Sequence, residues 1–108
     1  MSEFFLVFRK KQKPGLLRPL NEKLYLKHWQ DWLLSLAAQD VLARPVQKLD
    51  IGGKLLFADE VVLDLSGMQE PIEGFIIIHA DGYEHAIRIA SECPILSLGG
   101  SVEIRLGS

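Results

Sequence analysis

Cysteine is scarce in this chain: Cys93 is the only one among 108 residues. A single thiol excludes an intramolecular disulfide, and no histidine or second cysteine stands close enough in sequence to suggest a metal site. We therefore expect a reducing compartment, the cytoplasm, and a core stabilised by apolar packing. Hydrophobic residues make up 48% of the sequence, which is enough for one domain spanning residues 1–108.

The chain also has no large excess of charge of one sign and no long apolar run. The net charge is −2 at pH 7, and no nucleic-acid-binding motif is present, so no nucleic-acid partner is expected. The basic run from Arg9 to Lys13 is short, and we interpret it as a solvated loop or the rim of a pocket for an acidic ligand. The apolar run at residues 4–8 is too short to span a membrane and lacks the flanks of a signal peptide, so no membrane partner is expected.

Phosphate-binding loops and metal-ligand clusters are not apparent either. The glycine pairs Gly52-Gly53 and Gly99-Gly100 do not match the spacing of dinucleotide-binding or Walker loops, and we interpret both as turns. No histidine has a second histidine or paired carboxylates at ligand spacing. The sequence therefore predicts neither a cofactor nor a metal ion.

What the sequence does contain is a regular series of strands and helices. Glu3 to Arg9 and Phe75 to Ile78 read as strands that are apolar on both faces, which is typical of central strands covered on both sides. Between and after them lie two helical segments, and a final strand over residues 102–106 turns Val102, Ile104 and Leu106 inward.

The two helices are predicted from their apolar stripes. The first is expected to begin at an Asn21 N-cap and to end near Gln39. Its stripe has the spacing of a core-facing helix and consists of Tyr25, Trp29, Trp32, Leu33 and Leu36. The second is predicted to begin at a capping box and to end before Pro94. Asp81 and Glu84 would form the box, and the buried stripe would be Ala86, Ile89, Ala90 and Cys93.

The middle third is expected to be extended. Pro45 places the segment from Val41 to Leu49 at a sheet edge or a bulge. Lys54 to Phe57 and Glu60 to Leu63 are predicted to form a hairpin around Ala58-Asp59, or one irregular strand pair, followed by a loop over residues 66–71.

This order, β, α, β, hairpin, β, α, β, is the split βαβ pattern of ferredoxin-like α+β domains with an antiparallel sheet. In that topology the first strand and the strand before the second helix lie in the middle of the sheet, where the doubly apolar strands are needed. Two helices cover one sheet face only, so Phe5 and Val7, or their partners on the opposite face, would be exposed in a monomer. We therefore predict a homodimer formed through the open sheet face.

Several short segments have a characteristic order and spacing along nearly the whole chain. They are Phe5-Leu6-Val7-Phe8, His28-Trp29-Gln30-Asp31-Trp32, Glu73-Gly74-Phe75, Ala86 with Cys93-Pro94, and Val102-Glu103-Ile104-Arg105. In these segments the chain resembles the YCII-related family, in particular its DGPF-motif branch. The resemblance implies a dimeric α+β barrel, in which two ferredoxin-like sheets face each other and each subunit has a cleft between sheet and helix. Most of that family has no assigned activity.

Two positions depart from the family pattern. Asp64-Leu65-Ser66-Gly67-Met68 stands where the branch has Asp-Gly-Pro-Phe, so only the aspartate is kept. YCII-like proteins also carry a histidine on the first helix, matched by His28, and an aspartate before the proline that ends the second helix. Cys93 occupies that aspartate's place, so the His-Asp mechanism implied by the resemblance is incomplete.

His28 is the first candidate for catalysis, because an imidazole titrates near neutral pH and acts as an acid or base when a carboxylate orients it. Asp31 lies three residues further along the helix and is the expected partner. The alternative interpretation of this pair is an ordinary surface contact. Cys93 is expected to be an inert buried thiol and His85 to be solvated.

The candidate ligand-binding residues are Arg9, Trp32, Asp64, His79 and Arg105. Arg9 and Arg105 would hold an anionic group on a small ligand. Trp32 and His79 have packing in the core or at its rim as the alternative role.

Two functions follow from these predictions. The first is a homodimeric small-molecule-binding protein or small enzyme with a cleft near His28. The alternative is a noncatalytic dimeric module for regulation or assembly, in which the apolar sheet face is the functional surface. Cofactor-free monooxygenase chemistry is a third interpretation, by fold analogy alone.

Overall fold

The computed structural model describes residues 2–10, 22–44, 47–48, 53–65 and 72–107. Their elements are β1 (Ser2–Arg9), α1 (Glu22–Ala38), β2 (Gln47–Lys48), β3 (Lys54–Leu56), β4 (Val62–Asp64), β5 (Ile72–Ala80), α2 (Tyr83–Ala90), a 3₁₀ helix (Pro94–Leu98) and β6 (Ser101–Leu106). An antiparallel sheet has the order β2-β5-β1-β6. With one helix after β1 and one after β5, this is the predicted ferredoxin-like α+β fold.

β1 and β5 are the middle strands of this sheet, as their two apolar faces predict. Leu6 pairs with Ile76 and Phe4 with Ile78, which puts all four side chains on one face of the sheet. That face packs against both helices, and Leu6 and Ile78 are 0% exposed there. Burying a large apolar side chain contributes about 1.5–3 kcal/mol, so this layer stabilises the fold.

The stripe of α1 also packs as predicted, and the helix ends in a defined motif. Trp32 and Leu36 are buried, and Trp29 and Leu33 pack beside them. The amide of Val41 donates to the Leu36 carbonyl at 3.1 Å, and Asp40 adopts a φ of 58°. These are the features of a Schellman C-cap, in which a left-handed residue reverses the chain.

The capping box predicted for α2 is wrong. Gly82 occupies the N-cap in an extended conformation, and it makes no side-chain cap hydrogen bond. The amide of Asp81 instead donates to Nδ1 of His85 at 3.0 Å. His85 was expected to be solvated, but its side chain is 27% exposed, and its Nδ1 accepts this hydrogen bond from the backbone just before the helix.

α2 is shorter than its apolar stripe suggested, since it ends at Ala90 with Ser91 as its C-cap. Cys93 was predicted on the helix, but its backbone is extended, with φ −65° and ψ 128°. Pro94 causes this, because a proline disfavours helical geometry in the preceding residue. Cys93 still reaches the core, and Pro94 begins a 3₁₀ helix that the sequence did not predict.

The predicted hairpin is present as a separate two-stranded sheet of β3 and β4. The amide of Phe57 donates to the Val61 carbonyl at 2.8 Å, and Glu60 has a φ of 68°. A three-residue loop that ends in a left-handed residue is a common hairpin connection. The turn is therefore one residue longer than the predicted Ala58-Asp59 pair.

One sheet edge agrees with expectation and the other differs. In the segment predicted to be extended from Val41 to Leu49, the described residues pair with β5 at Leu42 and at Gln47–Lys48. On β6, Leu106 was expected to face inward but is 50% exposed, because the core layer ends at Ile104.

Several predictions lie outside the described residues. They are the Asn21 N-cap, the basic residues beyond Lys10, the Pro45 edge or bulge, Gly52, and the loop over residues 66–71 with the departure from Asp-Gly-Pro-Phe. In the ranges that are described, no helix combines the length and apolar character needed to cross a bilayer.

Candidate functional site

The inner face of α1 and the end of β1 carry an aromatic cluster, which consists of Phe8, Tyr25, Trp29 and Trp32. The Phe8 ring meets Trp29 edge to face, with the ring centroids 5.0 Å apart, and Trp29 meets Trp32 at 5.7 Å. Tyr25 completes the cluster against Trp29 at 6.4 Å. The cluster arises because these three helical residues are spaced at i, i+4 and i+7, which places them on one side of α1.

Trp32 carries a buried polar group, its indole N–H, within this cluster. The side chain is buried, at 6% exposure. Its Nε1 has no hydrogen-bond partner and is alone in this respect among the buried side-chain nitrogens and oxygens of the described residues. Buried indole N–H groups usually have an acceptor. Trp32 Nε1 is therefore an unsatisfied buried donor in the part of the chain that the structure describes.

The Tyr25 hydroxyl is the second polar group of the cluster. Burial raises the pKa of Tyr25, a hydrogen bond from the Trp29 side chain opposes the rise, and the nearby Glu73 and Cys93 add to it. The hydroxyl therefore stays protonated and can donate a hydrogen bond. The sequence predicted Tyr25 in the core-facing stripe but assigned no ligand-binding role to Tyr25 or Glu73, although Tyr25 stands one helical turn before His28.

The predicted pair of His28 and Asp31 lies on the outer side of α1, and both residues are exposed. The Asp31 carboxylate accepts from Lys27 Nζ at 3.0 Å, across one helical turn. Within the described ranges, no hydrogen bond or ion pair joins Asp31 to His28. His28 borders the aromatic cluster, since Tyr25 and Trp32 stand at i−3 and i+4 from it. Catalysis by this pair stays a prediction.

Arg9 and Arg105 lie on the opposite, open face of the sheet. Arg9 Nε donates to Glu103 Oε1 at 3.2 Å, and Arg105 Nη1 donates to Glu103 Oε2 at 3.3 Å. The hydrogen bonds from Arg105 and Arg9 hold the pKa of Glu103 below its ordinary value. The two predicted anion-binding residues are thus brought together, with a carboxylate between them.

The remaining predicted ligand residues lie apart from the aromatic cluster. His79 pairs with Glu3 in the sheet register, and its amide donates to the Val41 carbonyl at 2.7 Å. It occupies the open face, at the far end from Arg9. Asp64 is on the hairpin, where its carboxylate accepts from Lys54 Nζ at 3.2 Å. Ligand binding by these residues stays a prediction.

The open face is apolar at its centre. Phe5 pairs with Ile77 and Val7 with Phe75, and the rings of Phe5 and Phe75 stack with their centroids 6.1 Å apart. Phe5, Val7 and Phe75 are half-buried. Neither described helix packs on this face, because Trp32 and Leu36 of α1 and the stripe of α2 contact the other one. Ile77, on the same face, is 6% exposed, so the face is apolar at its centre and only partly open to solvent.

Metal ligation has no candidate in the described part of the chain, where no three histidine, cysteine, aspartate or glutamate side chains form a group able to hold an ion. The Cys93 thiol lies near Tyr25 and Glu73, and burial raises its pKa to about 12.

Comparisons with known proteins bear on this geometry only weakly. No family model and no curated protein matches the chain. A search of solved structures matches it to 5-chloro-2-hydroxyhydroquinone dehydrochlorinase (TftG) from Burkholderia phenoliruptrix AC1100, in complex with 2,5-dihydroxybenzoquinone. The identity is 21%, the alignment covers 97% of this chain and 93% of that chain, and the TM-score is 0.48. A likeness of this degree carries no activity over to the present chain.

Proposed function

We propose that the chain is a homodimeric small-molecule-binding protein whose ligand site lies in the aromatic cluster beside His28. The observation that carries this proposal is the buried Trp32 Nε1, which has no partner within the described residues. Leaving a buried donor unsatisfied costs about 1–3 kcal/mol. A ligand oxygen that accepts from this N–H removes the penalty, so its hydrogen bond contributes more than an exposed one would.

The surroundings of Trp32 favour a flat aromatic acid. Aromatic rings prefer edge-to-face or offset contacts with other rings, and the cluster supplies them. Tyr25 and Trp29 are only half-buried, so they form the outer wall that an entering ring displaces. His28 at the border supplies a ring N–H that can donate a hydrogen bond to a carboxylate. Binding is proposed ahead of turnover because Asp31 is paired with Lys27.

Titration calorimetry with a matched pair of probes tests this site. We expect 4-hydroxybenzoate to bind with a measurable heat, and 4-hydroxycyclohexanecarboxylate, which has the same polar groups but no aromatic ring, to bind at least tenfold more weakly. Replacing Trp32 by Phe keeps a ring and removes the N–H, so it should weaken binding of the aromatic probe about tenfold.

The control variants separate the site from the helix that carries it. His28→Ala should weaken binding of 4-hydroxybenzoate, whereas Gln30→Ala, an exposed change on the same helix, should not. Both variants should keep the melting temperature within a few degrees. If neither probe binds, or if Trp32→Phe binds as wild type does, the ligand site is not in the aromatic cluster.

The open sheet face supports the homodimer. Phe5, Val7 and Phe75 lie on strands in the middle of the sheet, where water would otherwise contact apolar side chains. A second copy that packs there buries this surface on both protomers at once, as a two-fold interface requires.

A noncatalytic assembly module is the second candidate, and the same apolar face favours it. Val7→Glu places a charge at the centre of that face, so sedimentation velocity should show a dimer weakened at least tenfold. If the protein is an assembly module, this variant loses its cellular function and His28→Ala has no effect. If it is a ligand-binding protein, His28→Ala impairs function while the dimer persists. A Val7→Glu protein that dimerises as tightly as wild type contradicts the sheet-face dimer.

A further inference from the structure

The hairpin of β3 and β4 exposes an unusual amount of apolar surface. Each of its six large apolar side chains is between 44% and 68% exposed: Leu55, Leu56, Phe57, Val61, Val62 and Leu63. A two-stranded sheet is marginally stable in water when nothing packs against it. Ordinary surfaces leave apolar residues scattered, so six within nine residues indicate a contact surface.

The two faces of this hairpin differ. Strand pairing joins Leu55 to Leu63 and Leu56 to Val62, and the hydrogen bond from Phe57 to Val61 continues the ladder. Because side chains alternate along a strand, one face carries Leu55, Phe57, Val61 and Leu63. We call this the four-residue face. The other face carries Leu56 and Val62 beside the Lys54–Asp64 ion pair, which is the composition of an interface rim.

We infer that the four-residue face lies on the open sheet face of a second copy of this chain, so that each protomer holds the other with its hairpin. This inference rests on the homodimer of the proposed function and adds the element that completes its interface. A second copy presents the apolar centre formed by Phe5, Val7 and Phe75, which the described helices leave uncovered.

The area available agrees with a stable dimer. The exposed apolar part of the hairpin is on the order of 400 Å², the size of a large patch on a monomer. The open sheet face adds a smaller area, because Phe5, Val7 and Phe75 are half-buried and Ile77 beside them is 6% exposed. The hairpin therefore supplies the larger share of the ~800 Å² per partner of a standard interface.

Charge complementarity points to the same occupant. The hairpin turn carries two exposed acids, Asp59 and Glu60. The open sheet face has Arg105 at its border, with its side chain 72% exposed. Arg105 already pairs with Glu103 at 3.3 Å, so a turn carboxylate of the second copy would be a further partner for its exposed guanidinium. Two copies related by a two-fold axis make this contact twice. Opposite charges at the rim of an interface favour encounter and fix the orientation.

The test uses neighbouring residues that point to opposite faces of the hairpin. Val61 and Val62 are 48% and 53% exposed, and Leu55 and Leu56 form a second pair of this kind. Val61→Glu and Leu55→Glu, on the four-residue face, should each weaken the dimer at least thirtyfold in sedimentation velocity. Val62→Glu and Leu56→Glu should stay within threefold of wild type. Far-UV circular dichroism and the melting temperature establish that all four variants are folded.

Hydrogen exchange gives a second readout on the wild-type protein. The hairpin amides of Phe57 and Leu65, which donate backbone hydrogen bonds, should lose protection when the protein is diluted below its dimer dissociation constant. Protection that does not depend on concentration would mean that the chain covers its own hairpin, and it would overturn the inference.

The failure of this inference can be distinguished from the failure of the proposed function. If all four hairpin variants dimerise as wild type does while Val7→Glu dissociates, the dimer forms through the sheet alone and the hairpin is not part of it. Equal weakening by both members of each pair overturns the assignment of the four-residue face. A wild-type chain that is monomeric at 100 µM overturns the homodimer and this inference together, whereas 4-hydroxybenzoate binding would still stand.

Discussion

Replacing Gly100 by Ala should lower the free energy of unfolding by about 3 kcal/mol, near the upper end of what overpacking costs. A methyl group at this position would lie 2.7 Å from the Arg9 carbonyl oxygen, 2.7 Å from Ile95 Cγ1 and 3.0 Å from the Ile95 carbonyl oxygen. Two of these three atoms belong to the backbone and cannot rotate away. The end of β1 or the 3₁₀ helix has to shift, and the hydrogen bond from the Gly100 amide to Ile95 is strained with it.

Urea unfolding followed by circular dichroism measures this loss, and the melting temperature should fall by roughly 12 °C or more. Gly82→Ala is the matched control, since a methyl group there meets no atom within 4 Å and the residue has an extended backbone. It should cost at most about 1 kcal/mol, the difference between glycine and alanine at an N-cap. Equal losses in the two variants would mean that the close approach at Gly100 is relieved without cost.

The central sheet could be predicted from sequence because its signal is local and redundant. Phe4, Leu6 and Phe8 alternate with Phe5 and Val7 along one strand, and this pattern requires a covered strand wherever it lies in the chain. The position of Phe75 to Ile78 before the second helix then determined the topology, since a split βαβ order allows few arrangements. An open sheet face could also be predicted, because two helices cover only one of the two faces of the sheet.

The ends of the second helix could not be predicted in the same way. The Asp81 and Glu84 spacing is compatible with a capping box, but Gly82 adopts the extended N-cap conformation and moves the helix start by one residue. The His85 imidazole then accepts a hydrogen bond from the Asp81 amide. Competition of this kind depends on differences of about 1 kcal/mol between alternative caps, which spacing alone does not resolve.

The site was only partly visible in the sequence. Trp32 was a candidate ligand residue, and its stripe correctly predicted burial, but a stripe does not reveal whether a buried indole N–H finds an acceptor. Arg9 and Arg105 were expected to share a role, and they do meet, although through Glu103. That contact depends on the register of β6 against β1, which pairs Val7 with Glu103 and which no local pattern specifies.

Cys93 should react with a thiol reagent such as DTNB about a thousandfold more slowly in the folded protein than in the unfolded one. Burial raises the pKa of its thiol from 9.0 to about 12, a hydrogen bond from the Ile95 amide opposes the rise, and Glu73 adds to it. The thiolate is the reactive form, and at pH 8 each unit by which the pKa rises lowers the thiolate population about tenfold.

Ser97→Cys in a Cys93→Ala background places an exposed thiol four residues away and should react at the unfolded rate. A native Cys93 that reacts as fast as the thiol introduced at position 97 would contradict the burial.

The same pKa shift makes stability depend on pH above 9. Because the thiol pKa is higher in the folded state, the unfolded chain loses this proton first as the pH rises. The free energy of unfolding therefore falls by about 1.4 kcal/mol per pH unit from near pH 9 towards the folded pKa, and it is unaffected by this group at lower pH.

Lysines and tyrosines also titrate in this range, so the comparison is with Cys93→Ala. Between pH 8 and pH 10.5 wild type should lose about 2 kcal/mol more than the variant in urea unfolding. Parallel losses in the two proteins would mean that the thiol ionises as readily in the core as in the unfolded chain, which its burial among apolar side chains opposes.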